Sequence, residues 1–301
     1  MDFSKAITIA TGTSTSALIN LNSITAAPTV GTLFSGYLVE SVSYANASVA
    51  GFVDPLAQRD GLDTDIATLP QRQTQMIVQV YGSSLNDFYD KIDAMNAALQ
   101  PYPDFAATAD GFRNLDFRQP TGIAEYTTNG IPMRLSVRPL ALPSYNLNND
   151  LVTPRTSDRG LTTRASIGLM SKDPRKICQT AKTGSIALTS GSATTTLTNS
   201  GNYFAYPTFT IVSNLTTAST LTISTSLWTT AVTIGTSTKT TVINSLARTV
   251  TSNGTLLMSA LTSATTKLPY LASGSNSVTL SFSGGGAFPS SIEYSYQEAW
   301  I

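Results

Sequence analysis

Few residues in this chain are of the kinds that run reactions. There is no histidine, so the commonest general base and metal ligand is missing. Cys178 is the one cysteine. It sits in "RKICQT" with no imidazole to activate it, so an inert, buried thiol is expected, and neither an internal disulfide nor a thiolate metal site can form. Asp60, Asp63 and Asp65 in "DGLDTD" gather three carboxylates that could hold Ca²⁺. Their spacing is not that of an EF-hand, so a solvated turn is the expectation. Paired carboxylates can hydrolyse glycosides, but among 18 acids nothing marks out a pair. "FSGGGAF" lacks a following lysine or threonine and a strand-to-helix setting, so it reads as a loop and not a phosphate cradle. Asn46, Asn214 and Asn253 stand in N-x-S/T sequons. The first residues show no basic segment followed by an apolar one, so no secretory leader is expected and the sequons are chance matches. No catalytic residue, cofactor-binding residue, cofactor or metal ligand is expected.

Composition points away from several partners. Lysine plus arginine equals aspartate plus glutamate at 18 each, and charged residues are 12% of 301. A nucleic-acid binder would show a basic excess or stripe. A neutral, charge-poor surface favours self-association instead, because little repulsion separates the copies. No apolar run is long enough for a membrane span.

The charges are unevenly spread. Only Lys182, Lys239, Arg248, Lys267, Glu293 and Glu298 fall between Ala181 and Ile301, while the other 30 precede them. "SKDPRK" marks the change with turn and breaker residues, and the reading divides the chain into 1–172 and 173–301. In the first part, Leu85, Phe88, Tyr89, Ile92, Met95 and Leu99 form the stripe of a packed amphipathic helix. Ser84 and Asp87 make a capping box, and Pro101 and Pro103 close the helix. Strand patterns flank it: Met76, Val78 and Val80 before, and Ile131, Met133, Leu135 and Val137 after. One helix between such strands predicts an antiparallel sheet or sandwich with a single packed helix. Asn129-Gly130 predicts a hairpin before Ile131. Between Gly51 and Ala67 the chain makes a long excursion, with turns expected at Asp54-Pro55 and Asp60-Gly61. Excursions of that length are usually functional. Phe52, Asp54, Pro55, Leu56, Arg59 and Asp60 are the candidate residues of an arm that reaches a neighbouring copy.

The second part reads as short threonine-rich strands about 10 residues apart, the rhythm of a β-sandwich, with a tight hairpin at Asn253-Gly254. It closes on "SSIEYSYQEAWI", where Ile292, Tyr294 and Tyr296 alternate with polar residues and Trp300 follows. Such rings could stack on a sugar, but at alternating strand positions they are expected in core and interface.

"GFVDPLAQRDGLD", "RQTQMIVQVYGSSLNDFYDKIDAMNAAL", "GFRNLDFRQP", "SKDPRK", "NSGNYFAYPTFTIVS", "LARTVTSNGT", "LASGSNSVTLSF" and "SIEYSYQEAW" occur in that order. Together they resemble siphophage distal tail proteins over most of the chain. One departure is at Ser273-Gly274-Ser275-Asn276, where the family has Pro-Gly before the asparagine. The resemblance implies a tail-tube-like ring-forming domain over 1–172 and a galectin-like β-sandwich over 173–301. It further implies a virion protein made in the bacterial host cytoplasm, which forms a hexameric ring at the tail tip. The implied partners are other copies of itself, the tail-tube protein above, and hub or receptor-binding proteins below. DNA would pass the bore without specific binding. A major tail-tube protein, another tail-tip ring and a carbohydrate-binding accessory module are the alternatives.

Overall fold

The computed structural model describes residues 6–10, 18–24, 33–44, 50–51, 54–55, 62–63, 67–68, 72–101, 111–145, 161–171, 173–189, 191–265, 267–284 and 288–301. The fold is mostly β, and the chain forms two compact units, Met1–Lys176 and Ile177–Ile301.

In the first unit, β1 (Thr8–Ala10), β2 (Leu18–Asn20), β3 (Gly36–Tyr44), β4 (Arg72–Gly82), β5 (Arg113–Gln119), β6 (Ile131–Pro139) and β7 (Leu161–Ser171) pair into one antiparallel sheet. Their order is β2-β1-β5-β6-β7-β4-β3. The alternation in the sequence sets the faces. Met76, Val78, Val80, Leu115, Phe117, Met133, Leu135, Ile167 and Leu169 are buried, while the residues between them carry amides, hydroxyls and charges.

Helix α1 (Leu85–Ala98) lies against β4 and β7. Its first turn is fixed by a reciprocal cap. Ser84 Oγ accepts from the Asp87 N–H at 3.2 Å, and the Asp87 carboxylate accepts from the Ser83 N–H at 2.8 Å. The expected box therefore forms with its return bond one residue early. At the other end the buried Arg113 donates to the carbonyls of Ala98 and Gln100. It satisfies carbonyls that a helix terminus leaves open and places a cation at the negative end of the dipole.

Phe88, Ile92, Met95 and Leu99 are buried as the stripe requires, but Leu85 and Tyr89 are 51% and 42% exposed. Turning 100° per residue, the buried sector centres between Phe88 and Met95 and includes Ala98. Leu85 and Tyr89 fall on its flank, and the expectation of a fully packed stripe is corrected there. Two turn expectations are also corrected. Asp54 and Pro55 pair with Asp63 and Leu62 as strand. Asn129-Gly130 does not make a two-residue hairpin, because a 3₁₀ turn at Ala124–Tyr126 lengthens the connection and Gly130 N–H closes on Tyr126 O.

The second unit is a sandwich. Its strands are β8 (Lys182–Ala187), β9 (Ser192–Asn199), β10 (Thr208–Leu215), β11 (Ser219–Ser224), β12 (Thr229–Ile234), β13 (Ser237–Asn244), β14 (Thr249–Ser252), β15 (Thr255–Leu256), β16 (Gly274–Ser283) and β17 (Ser291–Tyr296). One sheet runs β8-β17-β10-β13-β14-β15 and the other β9-β16-β11-β12. Ile211, Leu221, Ile223, Val232, Ile243, Val278, Leu280 and Ile292 belong to one buried core, alternating with outward threonines and serines. Asn253 (φ 47°) and Gly254 (φ 79°) make the expected tight turn between β14 and β15, since a type I′ turn needs both central residues at positive φ.

Gly82 is where β4 meets α1. A Cβ there would stand 2.5 Å from both Cα and Cβ of Phe88. Backbone cannot withdraw as a flexible side chain can, so Gly82→Ala must lift the helix. Urea unfolding should show a loss of about 2 kcal/mol. A loss under ~0.5 kcal/mol would show that the helix is not seated on this glycine.

Candidate functional site

The outer face of the first unit's sheet is polar, and its charges are tied down. Arg134 and Asp116 are directly opposed on β6 and β5 and form two parallel bonds, Nε to Oδ1 at 2.7 Å and Nη2 to Oδ2 at 2.8 Å. Arg164 on β7 holds both oxygens of Glu40 on β3, at 2.8 Å and 2.9 Å. Gln79 lies on the intervening strand β4; its amide donates to Glu40 and it accepts from the Tyr81 hydroxyl. Arg118 donates to the Gly130 carbonyl, and Arg138 stands 5.5 Å over the Phe112 ring. Each arginine that β5, β6 and β7 present on this face is thus engaged. Exposed pairs of this kind add little stability, but they occupy the bidentate fork that would otherwise grip a phosphate.

The sheet's two end strands are β2 and β3. Residues 21–24 join them: Leu21 N–H donates to Ile7 O, Ile24 N–H to Tyr37 O, and Val39 N–H to Asn22 Oδ1 at 3.1 Å. Tyr37 N–H donates to Ser23 Oγ at 2.9 Å. This covers β3 as far as Val39. From Ser41 to Ser43 the only strand beside β3, among the described residues, is β4. A register shift between Val39 and Ser41 separates the covered half from the open half, as bulges commonly do at edges.

The excursion continues these two strands. Tyr44 pairs with Thr74, and beyond the sheet Ala50 pairs with Thr68 and Gly51 with Ala67, in the same register. Asp54 with Asp63 and Pro55 with Leu62 are displaced by one residue. Asp54 and Pro55 thus belong to a two-stranded ribbon. Phe52, Leu56, Arg59 and Asp60 lie outside the described residues, as does Asp65. Among the described residues no group of three or more metal-ligating side chains forms, and no helix is long and apolar enough to cross a membrane.

The final strand is woven into the second unit's interior. Ile292, Tyr296 and Trp300 are buried and Tyr294 is half-buried. Tyr296 donates to Thr198 O at 2.8 Å, and Tyr294 stacks on Tyr296 with centroids 6.1 Å apart. Glu298 is fully buried; its Oε1 meets Lys182 Nζ at 2.8 Å and the Ser200 N–H at 2.6 Å. Cys178 is buried, and its N–H donates to Glu298 O. Sequence reasoning passed over Glu298 and Arg113. An acid so close to a tryptophan in a nearly acid-free segment was the available signal for the first.

A scan against protein-family models matches none, and no curated protein sequence matches the chain. Solved structures do match. This chain is similar in fold to SPP1 Dit. The TM-score is 0.56 at 16% identity, over 88% of this chain and 94% of that one. SPP1 Dit is described as a paradigm of the hub adsorption apparatus in phages that infect Gram-positive bacteria. Coverage of that extent spans both units, so the resemblance read from the sequence holds at the level of fold. Chains of the phage p2 baseplate in its activated conformation also align, with Ca at 9% identity and TM-score 0.41, and with Sr at 10% and 0.42, each over 97% of both chains. Scores below one half carry no argument about fold.

Asp87 and Tyr37, both packed at α1, depart from their ordinary titration. The N–H of Ser83, then the hydroxyls of Ser35 and Ser83 and the charge of Lys91, hold Asp87 at about 2, below an ordinary carboxyl. Burial, with Asp87 adding, pushes the Tyr37 hydroxyl up to about 12, and it donates to Lys91 O at 2.7 Å. The sign for Asp87 follows from the lowered value. Its contribution is complete above the unfolded carboxyl range near ~4 and is lost as pH falls through about 2. Hydrogen exchange of the amides at 83–88 should therefore speed up as pH drops from ~4 to ~2, after correction for intrinsic rates. Asp87→Asn should remove that step, and an unchanged step in the variant would assign it elsewhere.

Proposed function

We propose that this chain is a structural component of the distal end of a long-tailed phage, and that copies of it close into a ring. The observation that carries the proposal is the fold likeness to SPP1 Dit across both units. The ring would be hexameric. It would join the tail tube above to the hub or receptor-binding proteins below and leave a bore for DNA. Its place is the virion tail tip, after synthesis in the host cytoplasm, and its work is architectural and not catalytic.

Three features of the first unit support this reading. The open half of β3 and the ribbon that prolongs β3 and β4 offer unpaired strand to a neighbour, and an isolated two-stranded ribbon is marginally stable without one. Asp54, Pro55 and the flanking excursion residues are the proposed inter-subunit arm. Leu85 and Tyr89, left exposed on α1, suit a contact between copies. The polar sheet face suits a bore, because its paired guanidinium groups present little free positive charge to hold phosphates and impede sliding. Residues 1–172 would form the ring, and 173–301 the outer sandwich.

A tail-tube protein of similar fold is the second reading. Negative-stain microscopy with mass photometry separates the two. We expect particles of six subunits that stop at one or two layers. Long tubes would favour the tube protein, and monomers at every concentration tested, with or without purified tail tubes, would sink the ring.

A further inference from the structure

The two sheets of the second unit end on β8 and β15, and on β9 and β12. Three of these borders are guarded. β12 is covered by the segment that follows β15: Ala231 N–H donates to Thr265 Oγ1 at 3.0 Å, Ala231 O accepts from Thr262 N–H at 2.9 Å, and Val232 bridges to Leu261. β15 is 2 residues long. β8 starts on Lys182 and carries Gly184 inside it, and a charge and a glycine both weaken an edge as a template. β9 has none of these devices. It runs 8 residues as "SATTTLTN", without charge, proline, glycine or a break in its register with β16.

The ladder shows which backbone groups of β9 are open. Just before the strand, Phe282 N–H donates to Gly191 O at 2.7 Å. In an antiparallel ladder, residues bonded to the partner alternate with residues that point away. The odd-numbered residues therefore face β16, and Ser192, Thr194 and Thr196 turn their N–H and C=O groups to the free side. Thr198 does the same, and its carbonyl accepts from the Tyr296 hydroxyl at 2.8 Å. Among the described residues no such bond reaches the backbone of 192, 194 or 196.

The order of residues in β9 selects the occupant. Turned back on itself about Thr195, the strand matches its own copy. Thr194 then meets Thr196, and Ser192 meets Thr198, on the exposed face. Ala193 meets Leu197 on the face that packs against the core. Moving the axis to Thr194 or Thr196 sets Leu197 opposite Gly191 or Thr195 instead. The Thr195 axis also brings open backbone to open backbone, so Thr194 and Thr196 exchange N–H···O bonds in both directions. Threonines opposed across strands add hydroxyl bonds, as Thr194 and Thr279 do across β9 and β16 at 3.0 Å. β8 fails the same operation, because about Ser185 it sets Lys182 opposite Leu188.

We infer that β9 is a docking edge for the β9 of a second copy, related by a two-fold axis through Thr195, so that two 4-stranded sheets join into one. Rotation around a single closed ring generates no two-fold between neighbours. The contact therefore links free subunits or copies in different rings, and it stands or falls apart from the ring proposal.

Disulfide trapping on the full chain tests the register. The two residues on the axis form a non-hydrogen-bonded pair with Cα atoms about 4.5 Å apart, within reach of a disulfide. Thr195→Cys with oxidised glutathione should give chains linked 195 to 195, mapped by peptide mass. Two protein thiols become one S–S bond while the glutathione disulfide is reduced to two thiols. Thr194→Cys faces Thr196 and lies beyond disulfide reach of its own copy, so it should link at least about tenfold less. Adding Thr196→Pro to Thr195→Cys removes an N–H that points to the free side and spares the ladder with β16. It should cut the link by a similar factor. Amide exchange in the unaltered protein needs no variant, and at Thr194 and Thr196 it should slow at least about threefold as protein concentration rises. Linking at 195 no greater than at 194, linking undiminished by a folded Thr196→Pro variant, or exchange indifferent to concentration would each overturn the inference.

Discussion

A β-sheet must do something with the backbone donors and acceptors along its two outermost strands, and the first unit is organised by that constraint. Residues 21–24 settle half of it, handing Leu21 to Ile7 on one side and taking Tyr37 and Val39 on the other. The shift after Val39 marks where this internal solution stops. Beyond it the strand continues into a ribbon whose described pairs keep the register of the sheet before slipping by one. Proteins usually blunt such a border with charge, proline or a cover. Here Ser41 and Ser43 are small and neutral, a sequence that tolerates a backbone neighbour.

The helix and the polar face depend on the same sheet. Gly82 ends β4 without a side chain so that Phe88 can sit on it. Arg113 opens β5 and reaches back to the carbonyls at the end of α1. Both ends of the helix are thus held by sheet residues, which compensates for an apolar stripe narrower than its sequence suggests. On the opposite side, carboxylates on β3 and β5 neutralise arginines one or two strands away. Such pairs matter less for stability than for what they deny to an anion.

Much of this was legible from periodicity. Alternation placed Met76, Val78, Val80, Met133 and Leu135 inside, and Asn253-Gly254 announced its turn, because each rests on backbone geometry local to a few residues. The misses share a cause. Leu85 and Tyr89 obey helical spacing, but which flank of a stripe is covered depends on the width of the sheet beneath. Asp54-Pro55 reads as a turn by composition, yet pairing with residues 62–63 overrides it. Asn129-Gly130 names a hairpin that an 11-residue connection, Pro120 to Gly130, makes unnecessary. Glu298 and Arg113 owe their roles to contacts with distant segments, which no window of sequence contains.

The position of β17 in the second unit has a consequence for biosynthesis. This strand follows every other labelled strand of the sandwich in the chain, yet it lies between β8 and β10 in the six-stranded sheet. Until it leaves the ribosome, the two strands it separates have nothing to join them. High contact order of this sort slows folding and prolongs the exposure of aggregation-prone intermediates. The first unit can fold during translation, whereas the sandwich must wait for β17.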